Sequence, residues 1–247
     1  MRRTGRRRDL IITGIVFVAL TVAGEFWVIR TDFHPMPASR EAGIVDGAFD
    51  LLMVLSVPVF AFVIAVLGYA LARFRVSHGD ADPVRHDPRF MWGWLVVSAG
   101  LAIFSIFNPG FKGLEELRAE PNADLVIGVT AEQWNWSFSF EEEGLTLEDP
   151  EELVLPVDTR IAFEVTSVDV IHSFWIPAFR IKVDAIPGQV ETVLTTPTVT
   201  GEYEANPMFR VQCAEMCGTG HARMSTAVRV VDQDEFDAWL TGMRADA

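Results

Sequence analysis

Two long apolar runs in the first half of the chain constrain its fold more than any other feature. They occupy residues 51–72 and 90–108, and neither contains a charged side chain. About 20 apolar residues are needed to cross the hydrocarbon core of a bilayer, and Trp92 and Trp94 near one end of the second run are typical of the headgroup layer. We therefore predict a membrane-spanning helical hairpin. A pair of helices buried in a large soluble core is the alternative.

A third apolar run, at residues 10–29, follows five arginines and has two interpretations. The basic start, the apolar stretch and Thr21-Val22-Ala23 are typical of a cleaved signal peptide. The apolar residues at 26–29 nevertheless extend the run to spanning length despite Glu25, and we favour a retained helix. The predicted domains are an N-terminal helix or signal peptide at 1–30, a helical hairpin at 31–110 and an external domain at 111–247.

Basic residues predict the orientation of these helices, because lysine and arginine are enriched on the cytoplasmic side of membranes. Five arginines precede the apolar run at 10–29. Arg73, Arg75, Arg85 and Arg89 flank or occupy the loop between the two long runs. The N-terminus and this loop are therefore expected in the cytoplasm, with everything after Phe111 outside. The expected location is the cell membrane of a prokaryote, which the chain crosses several times.

Charge is divided unevenly along the chain, whose formal net charge is −14. Residues 1–110 carry 11 basic and 9 acidic side chains, whereas residues 111–247 carry 9 basic and 25 acidic ones. The external part is therefore strongly acidic. Nucleic acid is excluded as a partner, because its phosphates require positive charge. A cationic partner is favoured, since opposite charge speeds encounter.

The sequence pattern of the external part is typical of an all-β domain. Short alternating segments are separated by turn signals such as Asp149-Pro150 and Asn206-Pro207. Many short strands at this spacing predict a β-sandwich or barrel, and apolar residues at helical spacing predict a helix over 233–244. The predicted strands are 125–130, 133–140, 151–156, 160–166, 189–195, 201–204, 209–212 and 224–231.

The two cysteines of the chain lie four residues apart in a segment rich in soft metal donors. Cys213 and Cys217 are followed by His221 and Met224, so two thiols, an imidazole and a thioether occur within twelve residues. Such donors favour copper over calcium or magnesium, which prefer oxygen ligands. A disulfide between the cysteines is one alternative in an oxidising compartment. A zinc site is another, although zinc sites do not use methionine.

A second histidine completes the donor set, because copper–thiolate electron-transfer centres generally have two imidazole ligands. His172 and His221 are the only histidines of the sequence after residue 110. Taken alone, a histidine among apolar residues is more often a hydrogen-bonded core residue than a metal ligand. That remains the alternative interpretation of His172.

Four segments together form a recognisable set of motifs. They are Gln-Trp-Asn-Trp at 133–136, Asp-Val-Ile-His-Ser at 169–173, Lys-Val-Asp-Ala-Ile-Pro-Gly at 182–188 and Cys-Ala-Glu-Met-Cys-Gly-x-x-His-x-x-Met at 213–224. With the helical hairpin they resemble subunit II of cytochrome c oxidase, in the haem–copper oxidase superfamily, over residues 45–242. The resemblance implies a membrane-anchored, cupredoxin-like Greek-key β-barrel on two helices, so that a helix at 10–29 would be an addition to the family pattern.

The resemblance also implies a dinuclear copper A centre in which two cysteine sulfurs bridge both metals. One copper would in addition bind His172 and the axial Met224, and the other would bind the second histidine and a backbone carbonyl. The Glu215 side chain would help to hold a magnesium ion shared with subunit I; an ordinary loop carboxylate is the alternative. Trp134 would receive electrons from cytochrome c; a core aromatic residue is the alternative. The implied metal ligands are His172, Cys213, Glu215, Cys217, His221 and Met224.

The function implied is that of the electron-input subunit of cytochrome c oxidase. Electrons would pass from cytochrome c to haem in subunit I, where oxygen is reduced and protons are pumped. The chain would thus be a subunit of a proton-translocating oxidoreductase, with subunit I, further oxidase subunits, cytochrome c and membrane lipid as partners. A copper A-containing nitric oxide reductase is the alternative. A copper-free quinol oxidase subunit and a copper chaperone fit the ligand set less well. Gln189 departs from the family pattern, in which arginine is frequent at this position.

Overall fold

The computed structural model describes residues 3–73 and 88–246. These residues belong to two compact units, one within Met1–Phe33 and Gly47–Leu114 and the other within His34–Asp46 and Glu115–Ala247. The first unit is helical, and the second consists mainly of β-strands. Arg75 and Arg85, on which the predicted orientation depends, lie outside the described residues.

Three helical segments are long and apolar enough to cross a membrane, namely Arg7–Arg30, Arg40–Arg73 and Pro88–Leu117, with mean hydropathies of 2.0, 2.7 and 1.9. Most of their large apolar side chains are exposed in the isolated chain, as expected for surfaces that contact lipid or other subunits. The helices predicted at 51–72 and 90–108 are confirmed, and the run at 10–29 is helical as well. The elements are α1 (Arg3–Arg30), α2 (Arg40–Arg73), α3 (Pro88–Ser105), a π-helical turn (Ile106–Phe111) and α4 (Lys112–Leu117).

The second unit contains two β-sheets and a final helix. Alternating apolar side chains face the space between the sheets, as the period of two in a strand requires. Its elements among the described residues are β1 (Leu125–Glu132), β2 (Asn135–Phe140), β3 (Leu145–Glu148), β4 (Glu152–Pro156), β5 (Ile161–Ser167), β6 (His172–Ile176), β7 (Ile181–Ala185), β8 (Glu191–Thr195), β9 (Gly201–Glu202), β10 (Arg210–Cys213), β11 (Ser225–Val231) and α5 (Gln233–Asp246).

The strand order shows how the sheets are connected. The first sheet has the order β3-β2-β1-β5-β8, and the second has the order β4-β11-β10-β6-β7, with β9 paired to β11. The pairs β1–β5 and β4–β11 are parallel, so their connections cross from one sheet to the other. Strand β7 of the second sheet also lies beside β5 and β8 of the first. The predicted cupredoxin-like β domain is confirmed.

The core between the sheets is dominated by aromatic side chains. In β2, Trp136, Phe138 and Phe140 are buried and alternate with serines, which pair with the neighbouring strands. Helix α5 covers the far end of this strand, where the rings of Phe140 and Trp239 lie 5.8 Å apart between centroids. The predicted terminal helix is therefore confirmed, and it packs onto the sheet.

Two details of the predicted strands are wrong. The single strand expected over 133–140 begins only at Asn135, because Gln133 and Trp134 form the turn of the hairpin that pairs Glu132 with Asn135. Trp134 is consequently 37% exposed, whereas the remaining aromatics of the segment are buried. Strands β3, β6 and β7 were not predicted, since runs of four and five residues give too little alternation to be distinguished from loops.

The residues that follow α1, together with the first residues of α2, belong to the β unit, and we call residues His34–Asp46 the strap. Its backbone pairs with two loops of that unit: the Ala38 N–H donates to the Ala178 carbonyl at 2.9 Å, and the Thr198 N–H donates to the Ala38 carbonyl at 2.9 Å. The Ser39 hydroxyl donates to the Phe179 carbonyl at 2.9 Å. The strap is thus part of the β unit, although it lies within the range predicted as the hairpin.

A buried ion pair fixes the strap to the β unit. Glu41 and Arg160 contact each other directly and are only 4% and 7% exposed. The second carboxylate oxygen of Glu41 accepts hydrogen bonds from the Thr195 hydroxyl at 3.0 Å and the Thr196 N–H at 2.9 Å. Arg160 also donates to the Glu120 carbonyl. Both charges are therefore matched by neighbours rather than by water, which is the condition under which buried ions are tolerated.

Candidate metal centre

Two adjacent strands and one loop bring the predicted ligands together at one end of the β unit. His172 begins β6 and Cys213 ends β10, and these strands are antiparallel neighbours. The loop from β10 to β11 carries the remaining ligands and returns to its start, since the Cys213 N–H donates to the Met224 carbonyl at 3.0 Å. The Ala214 N–H also donates to the Ser173 carbonyl at 2.9 Å. The strand ladder thus holds the base of the loop.

The donor atoms form one continuous cluster. The sulfurs of Cys213 and Cys217 lie 3.7 Å apart. The Cys213 sulfur lies 3.8 Å from His172 Nδ1 and 3.1 Å from the Glu215 carbonyl oxygen. The Cys217 sulfur lies 3.7 Å from the Nδ1 atom of His221 and 3.8 Å from the Met224 sulfur. All six predicted ligands therefore meet, with the two sulfurs in the middle.

The cluster is buried on one side and open on the other. His172, Cys213, Cys217 and Met224 are at most 3% exposed, whereas His221 is only partly buried. Glu215 is exposed although its carbonyl faces a cysteine sulfur, so its carboxylate remains available to another partner. His172 is thus buried, as the core interpretation expects, but its ring nitrogen also faces a thiol.

The chemistry of the two cysteines favours a metal over a disulfide. Both are free thiols. Burial, together with the neighbouring Cys213 thiol, raises the pKa of Cys217 to about 11. Three sulfurs and two imidazoles form a soft donor set, which suits copper better than magnesium or calcium. The described residues therefore fit a copper centre, since a metal would replace the protons on these thiols.

Asp169 orients the buried histidine. Its carboxylate oxygen Oδ1 lies 2.9 Å from His172 Nε2, which leaves Nδ1 directed at the Cys213 sulfur. Partial burial opposes ionisation of Asp169, but hydrogen bonds from His172 and from the N–H groups of Val170 and Gln133 outweigh it and lower its pKa. A carboxylate that holds the second ring nitrogen is the usual support of a metal-binding histidine. The spacing of three residues between Asp169 and His172 was the only indication of this contact in the sequence.

Trp134 lies on the ligand loop rather than in the core. Its indole N–H donates to the Cys217 carbonyl at 3.2 Å. The ring covers the loop glycines so closely that a Cβ at Gly220 would overlap it, and a Cβ at Gly218 would lie 3.3 Å from it. Trp134 therefore connects the surface to the backbone of Cys217, a predicted ligand, and the core interpretation of this residue is wrong.

Residues 142–231 match the sequence profile of the family described as "Cytochrome C oxidase subunit II, periplasmic domain". The chain is 31% identical over 208 residues to cytochrome c oxidase subunit 2 of Alkalihalophilus pseudofirmus, a match that covers 78% of this chain and 58% of that relative. It is 26% identical over 254 residues to the alternative cytochrome c oxidase subunit 2 of Bradyrhizobium diazoefficiens, covering 92% and 90% of the two chains.

Among solved structures, the chain is similar to the periplasmic domain of subunit II of cytochrome oxidase from Bradyrhizobium japonicum. The identity is 35% and the TM-score 0.47, and the match covers 51% of this chain and 97% of that structure. The relatives described above are oxidase subunits, so the comparisons give no support to the nitric oxide reductase alternative.

Proposed function

We propose that this chain is a member of the cytochrome c oxidase subunit II family, and that it is the electron-input subunit of a cytochrome c oxidase with a dinuclear copper A centre. The single observation that carries the proposal is the cluster of two thiols, two imidazoles, a thioether and a carbonyl, whose neighbouring atoms lie 3.1–3.8 Å apart. Electrons taken from cytochrome c would pass to haem in subunit I, where oxygen reduction drives proton pumping.

Each predicted ligand is assigned to one or both of the metals. Cys213 and Cys217 would contribute to both metal sites, because their sulfurs occupy the middle of the cluster, each beside one histidine. His172 and Met224 would hold one metal, and His221 and the Glu215 carbonyl would hold the other. When bound, the dinuclear copper group would supply a one-electron carrier.

Burial and hydrogen bonding keep this cluster rigid. Cys213, Met224 and His172 are fully enclosed, so water does not compete for the metal side of these groups. The Asp169 carboxylate holds the His172 ring in one orientation. A site whose ligands are already in place needs little rearrangement when an electron arrives, which is the general advantage of preorganised sites.

Glu215 serves two partners through different atoms. Its carbonyl oxygen faces the Cys213 sulfur, whereas the side chain is exposed. We assign the carboxylate to a magnesium ion at the contact with subunit I, because a hard carboxylate oxygen suits magnesium. The helices that span the membrane in this proposal hold the β unit on the outer face, next to lipid and further oxidase subunits.

Trp134 is assigned as the residue at which electrons enter. It is exposed enough to touch a partner, and its indole N–H reaches the carbonyl of a cysteine ligand. The strongly acidic β unit provides the electrostatic attraction that a cationic cytochrome c would need. Contact and attraction together would bring the donor haem close to Trp134, which is hydrogen-bonded to the Cys217 carbonyl.

Replacement of Trp134 by alanine is expected to lower kcat/KM for oxidation of reduced cytochrome c by more than about tenfold, because a tryptophan at the centre of an interface contributes roughly 2 kcal/mol. Two coppers per chain should still be bound, since Trp134 supplies no ligand atom and the shorter bond from Gln133 to the Cys217 carbonyl remains. Steady-state oxidation of cytochrome c by the assembled oxidase measures the effect. The control is Trp239→Ala in α5, which packs against the far end of β2 and should leave kcat/KM unaltered. An unchanged kcat/KM in Trp134→Ala would contradict the assignment.

The proposed function is tested by metal analysis of the full chain in detergent after reconstitution with copper. Two coppers per chain that share one unpaired electron equally in the electron paramagnetic resonance spectrum are expected. A single copper with its electron confined to one nucleus, or a preference for zinc, would overturn the proposal.

A further inference from the structure

We propose that Gln133 is a positioning residue that links the two halves of the metal centre, a role that rests on the proposed function. Gln133 supplies no ligand atom and lies in the turn between β1 and β2. It nevertheless contacts both ligand-bearing segments, one through its backbone and the other through its side chain. These segments are 36 and 84 residues away in the sequence.

The backbone of Gln133 supports the buried half of the centre, namely His172 with its partner Asp169. Its N–H donates to Asp169 Oδ2 at 2.8 Å, while the other oxygen of this carboxylate lies 2.9 Å from His172 Nε2. The carboxylate is thus held from the side opposite to the histidine. Because it cannot rotate without breaking the bond to Gln133, the His172 ring is held too.

The side chain of Gln133 supports the open half of the centre, namely Cys217 and the partly exposed His221 on the same loop. Its amide Nε2 donates to the Cys217 carbonyl at 2.6 Å, a shorter contact than the 3.2 Å from the Trp134 indole to the same oxygen. Cys217 lies outside the strands, and Gly218 follows it with φ +120°, a conformation that side chains rarely adopt. The loop therefore depends on these two donors at the point where the second bridging sulfur is attached.

The role of the Gln133 side chain can be tested separately from that of its backbone, because the two contact different segments. Every substitution except proline keeps the N–H that supports Asp169. Loss of the amide therefore affects Cys217 and the partly exposed His221 attached to the same loop, and leaves His172 in place. We expect Cys217 and His221 to hold copper less tightly. Copper should therefore be released faster although every ligand is still present.

The test uses Gln133→Ala and the isosteric Gln133→Glu in the full chain of the assembled oxidase. Release of copper to a competing chelator should be at least about tenfold faster in both, which is the lower end of the effect of losing outer contacts to metal ligands. The copper hyperfine pattern should become unequal. Gln133→Glu should release copper at least as fast as Gln133→Ala, because it turns an oxygen towards the Cys217 carbonyl. The control is Gln233→Ala, at the exposed start of α5, which should match the native protein.

The readouts distinguish positioning from a role in docking alone. Gln133 is exposed beside Trp134, so a residue that only touches cytochrome c would change KM and leave copper release and the spectrum as they are. Native release rates and an unchanged spectrum in both variants would overturn the inference. Absence of a dinuclear centre in the native chain would instead overturn the proposed function. Circular dichroism of each variant shows that the β unit has folded, and an unfolded Gln133→Glu leaves the alanine variant to decide.

Discussion

Replacement of Cys213 by serine is expected to reduce cytochrome c oxidation by the assembled enzyme to less than about 1% of the native rate. Loss of a support for a metal ligand already costs 10–100-fold, and Cys213 is itself proposed as a central ligand. Its sulfur contacts a histidine nitrogen, a carbonyl and the second thiol within 3.8 Å. A serine hydroxyl in this buried position is a harder and less acidic donor, so the shared, delocalised electron would be lost.

The prediction is measured by metal analysis and paramagnetic resonance together with turnover. The matched control is Met216→Leu, three residues along the same loop, because this methionine is 73% exposed and contributes no donor atom. It should retain two coppers and native turnover. A Cys213→Ser protein with two coppers and an unaltered spectrum would show that the second sulfur suffices, against the bridging role assigned here.

Replacement of Glu41 by alanine is expected to destabilise the β unit by about 3–5 kcal/mol, the usual cost of removing one partner of a buried ion pair. Arg160 would keep its charge at 7% exposure and lose its carboxylate neighbour. Thr195 would also lose its hydrogen-bond acceptor in the core. For a unit of this size the change corresponds to a decrease of roughly 6–20 °C in the melting temperature.

Thermal unfolding followed by the absorption of the copper centre measures this loss. The matched control is Glu120→Ala, since the Glu120 carboxylate pairs with Arg40 at 2.6 Å in a solvent-exposed position. Exposed pairs contribute little to stability, so this variant should have the same melting temperature as the native protein. Its backbone carbonyl, which Arg160 also uses, stays in place. Equal melting temperatures for Glu41→Ala and the native chain would refute the stabilising role of the pair.

The helices and the clustering of the donor side chains on one loop could be predicted because their signals are local. An uncharged run of about 20 residues is visible in any window, and the spacing of Cys213, Cys217, His221 and Met224 places four donors on one loop. His172 was identified only by elimination, as the one other histidine after residue 110 for a centre that needs two imidazoles, since a histidine at the start of a short strand has no distinctive pattern. The structure brings it to the Cys213 sulfur through the pairing of β6 and β10.

What could not be predicted depends on contacts between distant parts of the chain. The strap shows no hydrophobic periodicity from which its contacts could be predicted. Nothing near Glu41 in the sequence indicates that its carboxylate is buried against Arg160. Trp134 was expected in a strand because the aromatic alternation continues through it, although the hairpin turn falls there. Gln133 was seen only as part of a motif, since its hydrogen bonds exist only once Asp169 and Cys217 are beside the turn.

The position of the strap in the sequence also gives folding an order. Glu41 is synthesised 119 residues before Arg160 and 154 residues before Thr195, so none of its partners exists when it leaves the ribosome. Contacts of such long range form slowly, because the entropy of closing the intervening chain must be lost first. The Glu41 carboxylate therefore cannot acquire all of its hydrogen-bond partners until β8 has been made. Closure of the strap then completes the β unit as a late step, after most of its strands have been synthesised.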